Sequence, residues 1–488
     1  MPETPASTPT RPNVLLVMSD QHNPRAAGFA GHPHVLTPNL DGLAARGTTF
    51  TGAYCSSPIC VPSRASLATG RPVHELGTWD NAVPYTGGAR SWGHVLSEAG
   101  YRVTTIGKLH YRSSDDDTGF PDQRLVMHVH GGGDLRGVSL RPQGDVPKRQ
   151  GDDPIPPNLT NVGRGESEYT RFDRAVAGAA VDYLRRETDE GPWALMVSFV
   201  APHFPLVAPT RFFDLYDPAE FELPPPDSGA WDHPSVDAFR RGFGLNRPLT
   251  EEEQRRVLHA YFALCSFLDA RVGQVLGALR ASGHDDDTLV VYTSDHGESA
   301  GAHGLWFKHL MNEESAGVPL IMAGPGVGAG ARIDTPVSQV DLFTTFADWA
   351  GLPDPSRGTS GRSLLDVAGG ATPERTVLSE YHANGSVAAA FMVRDERYKY
   401  IHHVGMRPQL FDLVDDPDEM RDLAGDPRHA DTLERMHRAL LEHCDPEEVD
   451  RRAKADQARR VEEAGGIEAA AAITVPYTPV PGSAGGSG

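Results

Sequence analysis

Asn13-Val-Leu-Leu-Val-Met18 is an unbroken run of apolar residues, mostly β-formers, and it stops at Ser19-Asp20-Gln21-His22. A run with no polar face predicts a strand buried on both sides, as in a parallel sheet. Leu289 to Thr293 repeats the pattern and stops at Ser294-Asp295-His296-Gly297. Trp193 to Val200 does so again and stops at Ala201-Pro202-His203. A fourth strand is predicted over Arg102 to Ile106, after a helical stretch from Ser91 to Ala99. Further helices are predicted over 172–187 and 251–282, the second with Leu264, Leu268, Val272 and Leu276 at helical spacing. Alternating strands and helices predict an α/β fold with a mixed, mostly parallel sheet sandwiched by helices. Polar residues gathered at the carboxyl ends of its strands mark where such a sheet places its site.

Past residue 370 the pattern shortens. Strands are predicted over 388–394, 398–402 and 409–413, then a helix over 430–443. The organisation read from this is a leader over 1–11, a catalytic domain over 12–370, a smaller C-terminal α+β subdomain over 371–450 and a partly disordered tail over 451–488. The Gly-, Pro- and Asp-rich stretch 111–165 lacks periodicity and reads as a long loop near the cleft.

Charge narrows the partners. Asp and Glu number 66 against 45 Lys and Arg, for a net charge of -21. That excess argues against a nucleic-acid backbone or an anionic membrane as partner, though not against a small anion in a locally basic cleft. Four cysteines (Cys55, Cys60, Cys265 and Cys444) imply no disulfide framework. The first eleven residues lack the basic and apolar regions of a signal peptide and read as a disordered leader. There is no run of about eighteen apolar residues, so no membrane span is expected. A cytoplasmic enzyme is expected, and a homo-oligomer is open to it.

The candidate chemistry sits at the predicted strand ends. Asp20 with Gln21, and Asp295 with His296, together offer two carboxylates, an amide oxygen and an imidazole, a donor set for a divalent cation. By residue type alone, Asp20 and Asp295 read equally as helix N-caps. Cys60 in Cys60-Val-Pro-Ser-Arg-Ala-Ser-Leu-Ala-Thr-Gly70 reads as a buried thiol or as a reactive one. Lys108 and His110 in Gly107-Lys-Leu-His110 could oppose negative charge and move a proton. His203, flanked by Pro202 and Pro205, could cap or catalyse, and Asn81 in Trp79-Asp-Asn81 could equally be a turn residue.

Taken together, Cys60-x-Pro-Ser-Arg64 with Thr69-Gly70, Gly100-Tyr-x-x-Thr104 with Gly107-Lys-x-His110, Pro202-His-x-Pro205 and Asp295-His-Gly through Gly304-Leu-Trp-x-Lys308 resemble the type I sulfatases of the alkaline phosphatase superfamily. The segment Thr37-Pro-Asn-Leu-Asp41 fits as well, and the resemblance runs over roughly 12–425. The Asp-Gln and Asp-His versions of the metal pairs are similar to those of choline sulfatases and phosphonate monoester hydrolases. Many sulfatases carry a second Asp in place of Gln21 and an Asn in place of His296.

The resemblance implies a hydrolase of sulfuric esters acting on a small organic sulfate. It implies that Cys60 is oxidised to Cα-formylglycine by a formylglycine-generating enzyme, and that Asp20, Gln21, Asp295 and His296 hold one divalent cation. Ca²⁺ is the first expectation, with Mn²⁺ or Mg²⁺ as alternatives. In the family pattern Arg64 braces the nucleophile, Lys108 and Lys308 bind the sulfuryl oxygens, His203 protonates the leaving oxygen, His110 accepts a proton and Asn81 meets the substrate. Two further readings stay open: a phosphonate monoester or phosphodiester hydrolase with the same nucleophile, and an oxyanion-binding protein without turnover.

Overall fold

The computed structural model describes residues 12–133, 155–188, 191–225, 228–245, 247–371, 374–472 and 478–482. The leader expected over 1–11 and the last residues, 483–488, lie outside the described residues.

Among the described residues, eight strands form the main sheet: β1 (Asn13–Asp20), β2 (Thr48–Phe50), β3 (Arg102–Lys108), β4 (Asp122–Met127), β5 (Trp193–Pro202), β6 (Thr288–Ser294), β7 (Leu320–Ala323) and β8 (Ala331–Ile333). Their order across the sheet is β8-β2-β7-β6-β1-β5-β3-β4. The run β6-β1-β5-β3-β4 is parallel throughout, and β7 is antiparallel to both its neighbours. β1 is central and every one of its residues is buried, which is why its sequence shows no alternation. The alternation is still used. Leu15 and Val17 enter one core with Leu195, Val197, Val290 and the helices Glu168–Arg186 and Glu251–Ser282. Val14, Leu16 and Met18 enter the core on the other face with Met196, Leu289 and Val291.

Glu251–Ser282 is long and apolar enough to cross a membrane, but most of it is buried inside the fold, as a core helix is. The helix predicted from 172 begins earlier, at Glu168, where Ser167 and Thr170 form a reciprocal cap. Inside the stretch read as a loop lies β4, paired in parallel with β3.

The C-terminal subdomain is a four-stranded antiparallel sheet, β9 (Val377–Tyr381), β10 (Ala390–Arg394), β11 (Tyr398–His403) and β12 (Gln409–Asp412), covered by the helix Ala430–His443. The position 451, read as the start of a partly disordered tail, falls inside a helix, Pro446–Glu463. Val449 and Ala453 of that helix are buried in the subdomain core, so its packed face continues the subdomain.

Candidate active site at the carboxyl edge of the sheet

Two irregularities at strand ends aim the site. The register between β1 and β5 shifts between Met18 and Asp20, and Gln21 then adopts φ 66°. The register between β3 and β4 shifts between Ile106 and Lys108, at Gly107 with φ 104°. A Cβ on Gly107 would stand 2.1 Å from the Ser198 carbonyl oxygen, so only glycine lets β3 lie this close to β5. Bulges of this kind re-aim side chains, and here they turn Asp20 and Lys108 toward each other.

Cys60 opens the buried helix Cys60–Thr69. Its Sγ lies 3.2 Å from His296 Nε2, 3.6 Å from Lys308 Nζ and 3.8 Å from Asp20 Oδ1. Asn81 Oδ1 accepts from the Val61 N–H at 3.2 Å, so Asn81 caps the start of this helix. One turn along, Arg64 forks between the carboxylates. Its Nε donates to Asp295 Oδ2 at 2.8 Å, and its other nitrogens donate to Asp20 Oδ2 at 3.2 Å, the Lys108 carbonyl at 2.7 Å and Ser198 Oγ at 2.9 Å. Lys108 Nζ donates to Asp20 Oδ2, and Lys308 Nζ donates to the Gln21 amide oxygen at 2.6 Å. His203 Nε2 stands 4.0 Å from Asp20 Oδ1. The expected residues therefore converge on one buried locus. Inside a chain of net charge -21, Arg64, Lys108 and Lys308 gather three cations around Asp20 and Asp295, so the charge of the two acids is locally balanced.

The charges explain the protonation states. Burial opposes ionisation of Asp20, but Lys108, His203, Arg64 and Lys308 outweigh it and hold its pKa well below the ordinary carboxylate value. Burial, with Asp20, pushes the Cys60 thiol up to about 11, so an unaltered Cys60 is a thiol at neutral pH and a weak nucleophile. Burial lowers His296, and Asp295 opposes that shift. Its Nδ1 lies 3.0 Å from the Gly297 carbonyl, which assigns the proton there and leaves the Nε2 lone pair facing Cys60, Asp20 and Asp295, free to accept a hydrogen bond or to ligate a cation. His203 is pushed well down by burial and then by Lys308 and Lys108, with Asp20 opposing. Its Nδ1 lies 2.6 Å from the Phe204 carbonyl, so Nε2 faces the site unprotonated. An acid role for His203 therefore draws on an anionic ester to supply the charge that stabilises its imidazolium.

His110 is likewise driven well down, by burial and then Lys108 and Arg64. Its Nε2 bonds the Thr478 hydroxyl at 2.9 Å, and Tyr169 donates its hydroxyl to the Thr478 carbonyl at 2.7 Å. The segment at Thr478 is thus part of the site's wall. The sequence reading placed no residue from this segment there.

Three other residues at the site were missed. Ser198 accepts from Arg64, and Gln339 accepts from Ser63 in the nucleophile helix. Glu298, three residues past Asp295, accepts from the Gln21 amide. Burial raises the pKa of Glu298, while bonds from Ala300, Gln21 and Phe307 lower it. None of these three belongs to a motif that announces its partner.

The donor set fits a divalent cation. One ligand atom from each of Asp20, Cys60, Asp295 and His296 lies within 4.8 Å of all the others. The Gln21 oxygen adjoins them through Lys308. Two carboxylates, an amide and one imidazole suit Ca²⁺, Mg²⁺ or Mn²⁺, and the imidazole moves preference toward Mn²⁺.

Comparison with known proteins agrees with this geometry. Residues 12–352 match the sulfatase family, and residues 301–445 match the C-terminal region of N-sulphoglucosamine sulphohydrolase. The chain is 36% identical to the choline-sulfatase of Rhizobium meliloti (strain 1021) over 473 residues, covering 93% of this chain and 91% of that one. It is 30% identical to human (Homo sapiens) arylsulfatase K, covering 85% of this chain and 79% of that one. The crystal structure of the phosphonate monoester hydrolase of Agrobacterium radiobacter superposes with a TM-score of 0.73 at 25% identity, over 89% of this chain and 95% of that one. With this fold, these motifs and these relatives, the chain belongs to the sulfatase family, the hydrolases of sulfuric esters.

Proposed function

We propose that this sulfatase cleaves a small organic sulfate ester, using Cα-formylglycine made from Cys60 and one divalent cation held by Asp20, Gln21, Asp295 and His296. The observation that carries the reading is the setting of Cys60. It is 2% exposed, touches Asp20, Lys308 and His296, and has a pKa near 11. That setting leaves a thiol idle but suits a group that gives up a hydroxyl proton beside cations. A formylglycine hydrate supplies one hydroxyl for attack on sulfur and a second whose proton must leave for sulfate to be released. A cation held by Asp20, Gln21, Asp295 and His296 would supply positive charge that eases loss of the first proton.

The chain's own residues do the rest. Lys108 and Lys308 oppose the charge that builds on the sulfuryl oxygens. Arg64 keeps both carboxylates in place. His203 gives its proton to the departing alcohol oxygen as the S–O bond breaks. His110, braced by Thr478, takes the proton of the second hydroxyl as the carbon–oxygen bond to sulfate breaks and the aldehyde re-forms.

Mn²⁺ and Ca²⁺ are the cations to test first. Maturation would require a formylglycine-generating enzyme. We also place the protein in the cytoplasm, a reading supported by four cysteines with no disulfide among them. Choline sulfate is the first substrate to try, because of the Rhizobium relative.

A second reading, phosphonate monoester hydrolysis, has its own observation: two such hydrolases superpose at 25% and 26% identity. The test is peptide mass spectrometry of residue 60 together with rates on a 4-nitrophenyl sulfate and the matched phenylphosphonate. An aldehyde at position 60 and a faster sulfate rate support the proposal. An unmodified Cys60 in active enzyme refutes the formylglycine mechanism, and a faster phosphonate rate selects the second reading.

A further inference from the structure

The side-chain amide of Gln21 could face either way round, and its surroundings fix the choice. The Nε2 group donates to Glu298 Oε2, and Oε1 accepts from Lys308 Nζ at 2.6 Å. Turning the amide over would set its oxygen against a carboxylate and its N–H₂ against an ammonium, an acceptor facing an acceptor and a donor facing a donor. The main chain of Gln21 is pinned as well. Its carbonyl accepts from the Tyr261 hydroxyl at 2.8 Å, and its N–H donates to Asp295 Oδ1 at 3.2 Å.

Glu298 holds the opposite side. Its Oε1 accepts from the N–H groups of Ala300 at 3.0 Å and Phe307 at 2.6 Å. These are the two ends of the loop that returns the chain to Lys308. Glu298 is 6% exposed and Gln21 is 2% exposed, so water does not satisfy this pair. One buried carboxylate thus sets both the face of the amide and the placement of the lysine that meets it.

We infer that Glu298 is a positioning residue that makes Gln21 an oxygen ligand and couples it to Lys308. This rests on the cation reading given above and adds a cause for the glutamine. The negative charge that a second aspartate would place at position 21 is carried one hydrogen bond farther out, at Glu298. The site keeps its oxygen donor, and the carboxylate moves away from the cation. It follows that the two positions are coupled: neither Q21D nor E298Q is tolerated alone, and each compensates the other.

The test is a double-mutant cycle on the full-length protein, with Mn²⁺ titrated calorimetrically into metal-free samples and kcat and KM measured on 4-nitrophenyl sulfate. E298Q is expected to weaken Mn²⁺ binding at least tenfold and to lower kcat more than it raises KM. Q21D, which sets two buried carboxylates together, is expected to bind more weakly than the parent or to fold poorly. The double variant is expected to recover Mn²⁺ affinity to within about threefold of the parent. If a single variant fails to fold and the double variant folds and binds, the inference stands. It is overturned by E298Q binding Mn²⁺ within twofold of the parent, by additive losses in the double variant, or by a double variant that stays unfolded. Absence of Mn²⁺ binding by the unaltered protein, with Ca²⁺ failing too, would instead sink the cation reading and this inference with it.

Discussion

Arg64→Met is the most informative single change, because it removes the charge and keeps the length. Arg64 is 1% exposed and donates to both Asp295 and Asp20, which are fully buried. It also ties in the Lys108 carbonyl and Ser198. Lys108 and Lys308 remain to balance part of the negative charge, but neither replaces a fork that reaches both acids. Breaking a buried ion pair by removing one partner costs ~3–5 kcal/mol, and we expect that loss in the metal-free protein. A divalent cation at the same carboxylates compensates the same charge, so saturating Mn²⁺ or Ca²⁺ is expected to narrow the gap between variant and parent. The assay is urea unfolding followed by tryptophan fluorescence, with chelator and with excess cation. A metal-free difference under about 1 kcal/mol, the range of an exposed ion pair, would refute the view that Arg64 holds the two acids together.

Other expectations follow from the same geometry. Lys308→Ala should lower kcat on an aryl sulfate by roughly 10²–10³, as loss of an oxyanion donor does; unchanged turnover removes Lys308 from the mechanism. Thr478→Val deletes the hydroxyl bonded to His110, a contribution of about 0.5–1.5 kcal/mol. Turnover should fall roughly 2–10-fold with its pH profile displaced, and T478S should restore both; equal behaviour of T478V and T478S would end the assignment. His22 is buried, bonded to Tyr292 and Ala26, and its pKa is lowered to about 4 by burial. Between pH 6.5 and 4 the unfolded chain gains a proton there that the folded one refuses, so stability falls as pH falls, by about 3 kcal/mol at pH 4. His22→Gln should lose less stability than the parent on going from pH 7 to pH 4, measured by urea midpoints; parallel losses would refute it.

The central strands and most of the residues gathered at the candidate site were legible because the local pattern carries them. β1 has no polar face, and its polar stop at Ser19-Asp20-Gln21 coincides with the register shift that aims Asp20. Gly107 preceded Lys108 in the sequence, and the structure shows why it must be glycine. What escaped is long in range or weak in pattern. β4 has only one buried residue, Met127, so an edge strand looked like part of a loop. Glu298 meets Gln21 across 277 positions and Thr478 meets His110 across 368. No periodicity encodes such pairs. The boundary at 451 failed for a related reason: the helix Pro446–Glu463 is mostly polar and is held by a narrow face with Val449 and Ala453.

The contact between Thr478 and His110 also bears on the order in which the enzyme comes into being. Every strand of the main sheet has been synthesised once Ile333 has been added. Residue 478 follows roughly 7–30 s later at ribosomal rates of about 5–20 residues per second. In that interval a nascent chain can assemble its sheet while the imidazole of His110 still lacks its hydroxyl partner. The hydroxyl that braces His110 thus joins the site after the sheet that frames it, and a chain cut before Thr478 would keep the sheet while His110 lacks that partner.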